Sequence, residues 1–221
     1  MAKKESAYKI VDYTNEYKSI MQFNKNKSVP IHQWYPFVEG YSKEFIQSIL
    51  DELPYSPICV LEPFAGSGTT PVELQDQNIK CISFEVSPFM YLLSTVKMRR
   101  DYVLEEFEDF FSQVKEIINL SPNNIREIEP IPFGKTLIKK GNLNKWNYND
   151  EVLDAILDIN YAIRNIASTK YQNLFKIALA SILLEVSNVF RNGKCLSYKK
   201  KWLESVLSLI HISEPTRPIS I

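Results

Sequence analysis

Histidine is almost absent from this chain: His32 and His211 are the only two in 221 residues. That scarcity argues against a histidine-based metal centre or a catalytic triad. Cysteine is scarce too. Cys59, Cys81 and Cys195 are scattered without metal-ligand spacing, so no metal site is expected. Cys59 and Cys81 fall in apolar runs that read as strands, and both are expected as buried thiols. No apolar run is long enough to span a bilayer and no secretory signal opens the chain. With free cysteines, this points to a cytoplasmic protein. Neither sign of charge is in excess: 26 Lys and Arg stand against 26 Asp and Glu. Any nucleic-acid contact must therefore come from clustering rather than net charge. Internal repeats and low-complexity tracts are lacking. What remains, 45% hydrophobic and 24% charged, is the composition of an ordinary globular chain.

Glycine is also sparse, and two of the six glycines lie in one short loop. The apolar run Ile58 to Leu61 leads into Glu62, then Pro63-Phe64-Ala65-Gly66-Ser67-Gly68, then the threonine-led helical stretch Thr69 to Gln77. That is a strand, a turn and a helix start, the place where open α/β folds bind ligands. Gly66 and Gly68 let the backbone turn sharply and approach a ligand that a Cβ would block. A dinucleotide G-x-G-x-x-G needs glycine where Pro71 stands, and the phosphate-cradling loop needs a lysine that is missing. No basic residue occurs from Asp51 to Asn78. A triphosphate would lack its counter-charge, whereas a cofactor with a cationic centre fits. A second short strand, Lys80 to Glu85, ends in an acid at the spacing expected of a ribose-binding carboxylate. Glu85 also suits a helix start, because Ser87-Pro88 reads as a cap followed by proline at the first helical position.

Glu62-Pro63-Phe64-Ala65-Gly66-Ser67-Gly68-Thr69-Thr70 resembles the S-adenosylmethionine loop D-P-F-x-G-S-G-T of amino-directed DNA methyltransferases, which methylate adenine N6 or cytosine N4. Glu62 stands where that family has Asp. The resemblance implies an α/β, class I (Rossmann-like) methyltransferase domain, here incomplete and carrying a helical insertion. It implies S-adenosyl-L-methionine as cofactor, held by Glu62, Pro63, Phe64, Ala65, Gly66, Ser67, Gly68 and Thr69, with Glu85 on the ribose and Val86 and Ser87 beside the adenine. The implied partners are DNA and a cognate restriction endonuclease. RNA methyltransferases use a similar loop, so an RNA enzyme, or a non-catalytic cofactor-binding fragment, stays open. Upstream, Trp34-Tyr35 and Gly40-Tyr41-Ser42 resemble the segment that precedes the cofactor loop in one branch of the family. Ser42 is a candidate cap for a helix over Lys43 to Leu50, and Tyr41 or Ser42 a candidate for lining the methionine end. The family holds its target amine with an Asp, Asn or Ser followed by two prolines and an aromatic. This chain has no Pro-Pro pair, and Ser87-Pro88-Phe89 lacks the second proline, so no catalytic residue is assigned.

Residues 1–103 are read as the N-terminal segment and cofactor-binding part, and 104–206 as the helical insertion. Helices are expected over Leu104 to Asn119, Asp150 to Ala167 and Tyr171 to Phe190, with a polar linker from Asn119 to Pro130 and a short strand over Thr136 to Lys140. Arg191, Lys194, Lys199, Lys200 and Lys201, interleaved with Tyr198 and Trp202, form a basic patch suited either to phosphates or to the solvated end of a helix. Leu207 to Arg217 resembles the translation of a transposon adapter used in sequencing libraries. Residues 207–221 are therefore expected to be an artefact, with the natural frame stopping near Val206 and the catalytic motif lost by truncation.

Overall fold

A computed structural model describes residues 11–120, 136–137, 144–193 and 195–200. The chain divides into two compact units, Met1–Met98 and Arg99–Ile221. In the first, α1 (Thr14–Tyr17) and two short 3₁₀ turns, Phe23–Ser28 and His32–Trp34, lead to α2 (Lys43–Glu52). Then come β1 (Cys59–Glu62), α3 (Thr69–Asp76), β2 (Lys80–Ser83) and α4 (Pro88–Met98). β1 and β2 pair in parallel, Cys59 opposite Lys80 and Glu62 opposite Ser83. The connection is the strand–helix–strand unit that the loop and its flanking apolar runs call for. α3 closes on Asn78, which takes φ +59°. The Asn78 and Ile79 amides donate back to the Gln75 and Leu74 carbonyls at 3.0 and 2.8 Å. This left-handed stop turns the chain straight into β2.

The interior of this unit lies among the helices: Ile46, Val72, Leu74, Leu93 and Val96 are all buried. The opposite sheet face is not covered among the described residues. Leu61 is 65% exposed, Ile82 45% and Phe84 58%. Cys59, on that same face, is exposed and Cys81 only half-buried. The expectation of two buried thiols is thus corrected, because a strand buries both faces only when layers cover both.

In the second unit α5 (Leu104–Leu120), α6 (Asp150–Asn165) and α7 (Thr169–Ile182) precede an antiparallel hairpin, β3 (Val189–Asn192) and β4 (Cys195–Tyr198). Its core joins Val114, Ala162, Ile163, Ile166, Tyr171 and Phe175. The buried Tyr171 hydroxyl donates to the Val103 carbonyl and accepts its amide, both at 2.9 Å. The helix expected to run to Phe190 stops at Ile182 instead. Asn188 is the reason. It is fully buried, its amide donates to Asn147 O at 2.7 Å, and its side-chain amide reaches Trp146 O and Asn149 Oδ1. Those non-local bonds override local helical periodicity. The linker residues 121–130, the strand residues Ile138–Lys140 and the tail 207–221 lie outside the described residues.

Candidate functional site

The loop between β1 and α3 meets the end of β2, and backbone hydrogen bonds stitch the two together. Phe84 N–H donates to Glu62 O at 2.9 Å, and Ala65 N–H to Phe84 O at 3.0 Å. The parallel ladder thus runs on past both strand ends. Both acids expected to bind ligand end up beside the glycine loop. Glu85 Oε2 accepts the Gly66 amide at 2.8 Å, and Oε1 accepts the Ser87 amide at 2.7 Å. A carboxylate offers about four acceptor positions. Glu85 thus braces the loop with two of them. Ser87 and Pro88 do begin a helix as well, with Met90 N–H donating to Ser87 Oγ at 3.5 Å. Glu85 itself precedes that helix.

Glu62 is tied at both oxygens. Oε1 accepts the Phe64 amide at 2.8 Å, while Oε2 accepts the hydroxyls of Thr70 at 2.9 Å and Tyr41 at 3.1 Å. The Tyr41 hydroxyl is pushed up to about 12, first by burial and then by the Glu62 carboxylate, against the lowering effect of its bond to Thr70. It is a proton donor throughout the physiological range. Pro63, Phe64 and Val86 are exposed, Gly66, Glu85 and Ser87 half-buried, and Ala65, Ser67, Gly68 and Thr69 buried. Two exposed apolar side chains, Phe64 and Val86, therefore flank two carboxylates, and no basic residue occurs from Asp51 to Asn78. That combination suits an apolar ring attached to a diol and a positive centre.

The two glycines serve different ends. Both take positive φ, +52° at Gly66 and +84° at Gly68. A Cβ on Gly66 would meet nothing closer than the Phe37 ring at 3.4 Å, an ordinary contact, so packing alone does not exclude a side chain there. A Cβ on Gly68 would stand 2.9 Å from Ser94 Cβ and 3.0 Å from its Cα. Close packing of α3 on α4 therefore demands glycine at 68, and ligand approach is not needed to account for it.

The leading segment clamps this loop from outside. His32 Nε2 lies 2.8 Å from Glu73 Oε1 on α3, and both residues are buried. Lys97 Nζ on α4 donates to His32 O at 3.4 Å, and burial drives its pKa down to about 7. Ser42 does not cap α2 through its hydroxyl, which instead donates to Ile20 O at 2.8 Å and is fully buried. The cap comes from Asn26, whose Oδ1 accepts the Lys43 amide and whose Nδ2 donates to Tyr41 O, both at 3.0 Å. Of the pair proposed for the methionine end, only Tyr41 reaches the loop.

The chain is similar to Type II methyltransferases. It is 29% identical over 192 residues to the Type II methyltransferase M.BsoBI of Geobacillus stearothermophilus, covering 86% of this chain and 36% of that protein. It is 22% identical over 187 residues to M.AvaI of a Nostoc species, covering 83% and 36% respectively. It is 25% identical over 122 residues to M.MjaII of Methanocaldococcus jannaschii, covering 53% and 22%. The chain thus spans about a third of the length of the first two Type II methyltransferases. No family model matches it, and no solved structure gives a significant match.

Beside that likeness, the loop's geometry adds what its letters omit. Thr70 and Tyr41 share the Glu62 carboxylate, and His32, Glu73 and Lys97 form a buried polar cluster behind it. Thr70 was in view only as the end of the loop motif. Tyr41 was a candidate for the methionine end, not a partner of Glu62, while His32 and Lys97 lie far from the loop in sequence and Glu73, on α3, meets His32 only in the fold. Of the basic patch, Arg191 and Tyr198 lie on the β3–β4 hairpin and Lys199 and Lys200 directly follow it, none of them at a helix end. Lys199 Nζ is already engaged by the carbonyls of Glu185 and Ser187, both at 2.7 Å. Arg191 Nε donates to Gly193 O at 3.1 Å. Lys194, Lys201 and Trp202 lie outside the described residues. Among the described residues no helix is long and apolar enough to cross a membrane, and no group of acidic, His and Cys side chains is placed to hold a metal.

Proposed function

We propose that this chain carries the S-adenosylmethionine-binding part of an amino-directed DNA methyltransferase of a restriction–modification system, built on a Rossmann-like class I domain with residues 104–206 as a helical insertion. The observation that carries the reading is the pair of carboxylates, Glu62 and Glu85, at the ends of adjacent parallel strands, both engaged with one glycine loop. The names of the related Type II methyltransferases support the reaction class.

The residues present fit the cofactor. Glu85 keeps acceptor positions for the two ribose hydroxyls, Glu62 Oε1 keeps one for the ammonium, and Phe64 and Val86 offer apolar surface to the adenine. When bound, the cofactor supplies a methyl group on an already activated sulfonium, so the protein's task is positioning rather than proton transfer. This chain's residues hold, orient and partly desolvate the donor. No Pro-Pro pair occurs in the sequence, so the grip on a target amine is not among its residues. The 221-residue chain should transfer no methyl group to DNA.

Calorimetry with S-adenosylhomocysteine tests the cofactor site. Binding is expected for the wild-type chain, and Glu85→Ala should weaken it by about 1.5–3 kcal/mol, the worth of a hydrogen bond to a charged group. Equal affinity in the variant, or preference for ATP or NAD, would remove the assignment. Transfer of labelled methyl groups to DNA by the chain would show that a target grip exists outside the expected motif.

A further inference from the structure

Glu62 has one more rotatable bond than the aspartate usual in this loop, and the structure shows what restrains it. Thr70 gives its single hydroxyl proton to Glu62 Oε2 at 2.9 Å. The Tyr41 hydroxyl, 2.5 Å from Thr70 Oγ1 and 3.1 Å from Glu62 Oε2, then shares its own proton between those two acceptors. Oε2 is thereby saturated. Oε1, which takes the Phe64 amide, keeps one acceptor position. Tyr41 is itself held in place. Its carbonyl is bound by Asn26 Nδ2 at 3.0 Å, Ser42 is bound through amide and hydroxyl to Ile20 O, and its ring lies 5.4 Å from that of Phe45. The leading segment thus presents a fixed hydroxyl to a side chain that α3 alone would grip from one side.

We propose that Tyr41 is a positioning residue that, with Thr70, locks the longer Glu62 carboxylate so that only Oε1 faces the ammonium group of the cofactor's amino-acid end. This rests on the reading of the loop as the S-adenosylmethionine site. Tyr41 touches neither the methyl group nor the nucleoside, and its effect runs wholly through Glu62. Two consequences distinguish this from a general packing role. Loss of the hydroxyl matters only for ligands that carry the ammonium, and it matters only while Glu62 is present.

The test uses the 221-residue chain with Tyr41→Phe, which keeps the ring, and two probes. S-adenosylhomocysteine carries the amino-acid end, while 5′-methylthioadenosine has the same nucleoside and thioether without it. Tyr41→Phe should weaken the first about tenfold and leave the second unchanged, as expected for one hydrogen bond to a charged group. On a Glu62→Ala background it should change neither, because the two sites form one coupled unit. If Tyr41→Phe unfolds the chain, Thr70→Val, of similar volume, reads the same coupling. Equal loss for both probes, or a loss that persists without Glu62, overturns the role of Tyr41. Unchanged S-adenosylhomocysteine affinity in Tyr41→Phe overturns it too, while leaving the cofactor site standing. Failure of the wild-type chain to bind S-adenosylhomocysteine overturns the underlying reading and this inference with it.

Discussion

Gly66 and Gly68 look interchangeable in the motif but should respond differently to substitution. Gly68→Val adds a branched side chain at φ +84°, with its Cβ 2.9 Å from Ser94. The strain and overpacking together should cost on the order of 3 kcal/mol. Gly66→Ala meets only ordinary contacts and should cost about 1 kcal/mol, the penalty of a left-handed conformation. Thermal melts of the two variants check the contrast, and equal losses would contradict the helix-packing account of Gly68. Lys97 makes a different kind of prediction. Its pKa in the fold, about 7, lies below the ordinary 10.5. Between those values the unfolded chain binds a proton that the native one does not, so stability should climb with pH across that window. Lys97→Met removes the charge and should stabilise the chain most below about pH 7, with the gain fading towards about pH 10. Urea midpoints measured across that range give the answer. A constant gain at all pH values would mean that the ammonium is not the cost.

At the scale of elements, the start of α2 depends on a residue sixteen positions before its cap site would suggest, if Asn26 rather than Ser42 is followed to the Lys43 amide. Asn26→Ala should destabilise by about 1–3 kcal/mol, because it orphans the Lys43 amide and the Tyr41 carbonyl together. Ser42→Ala should cost less than about 1 kcal/mol, because Ile20 O still accepts the Ser42 amide. Chemical denaturation of both variants checks the order. The element boundaries show where sequence reading holds. Alternation of apolar runs with a glycine loop located β1, α3 and β2, and helical periodicity located α2, α5 and α6. It found α7 but overran its end by eight residues, where Asn188 is drawn away by partners near Trp146. At the site, the positions of Glu62 and Glu85 beside the loop were legible, because one ends β1 and the other follows β2. Tyr41 and Thr70 were in view, but their shared grip on Glu62, like the pairing of Glu73 with His32, rests on contacts that only the folded chain creates.

For the chain as a whole, the uncovered side of the β1–β2 pair is the main hazard. Leu61, Ile82 and Phe84 form an exposed apolar strip beside a parallel pair with free backbone edges among the described residues. Such edges template association. Formal net charge is +0 at pH 7, which removes the repulsion that keeps molecules apart. The chain should be poorly soluble near neutrality and more soluble well away from it. Leu61→Lys together with Ile82→Thr should raise the concentration at which light scattering begins while changing the melting temperature by only a few degrees. Unaltered scattering would locate the sticky surface elsewhere.

Glu85 bridges amides that belong to different loops, Gly66 and Ser87. Neither proton can meet solvent until the carboxylate swings aside, so the two should exchange with deuterium as a pair, at one common rate despite their distance along the chain. A ligand whose hydroxyls also engage that carboxylate would slow both amides by the same factor. Two unremarkable backbone protons would then report occupancy of the site from opposite ends of it, with no label and no turnover required.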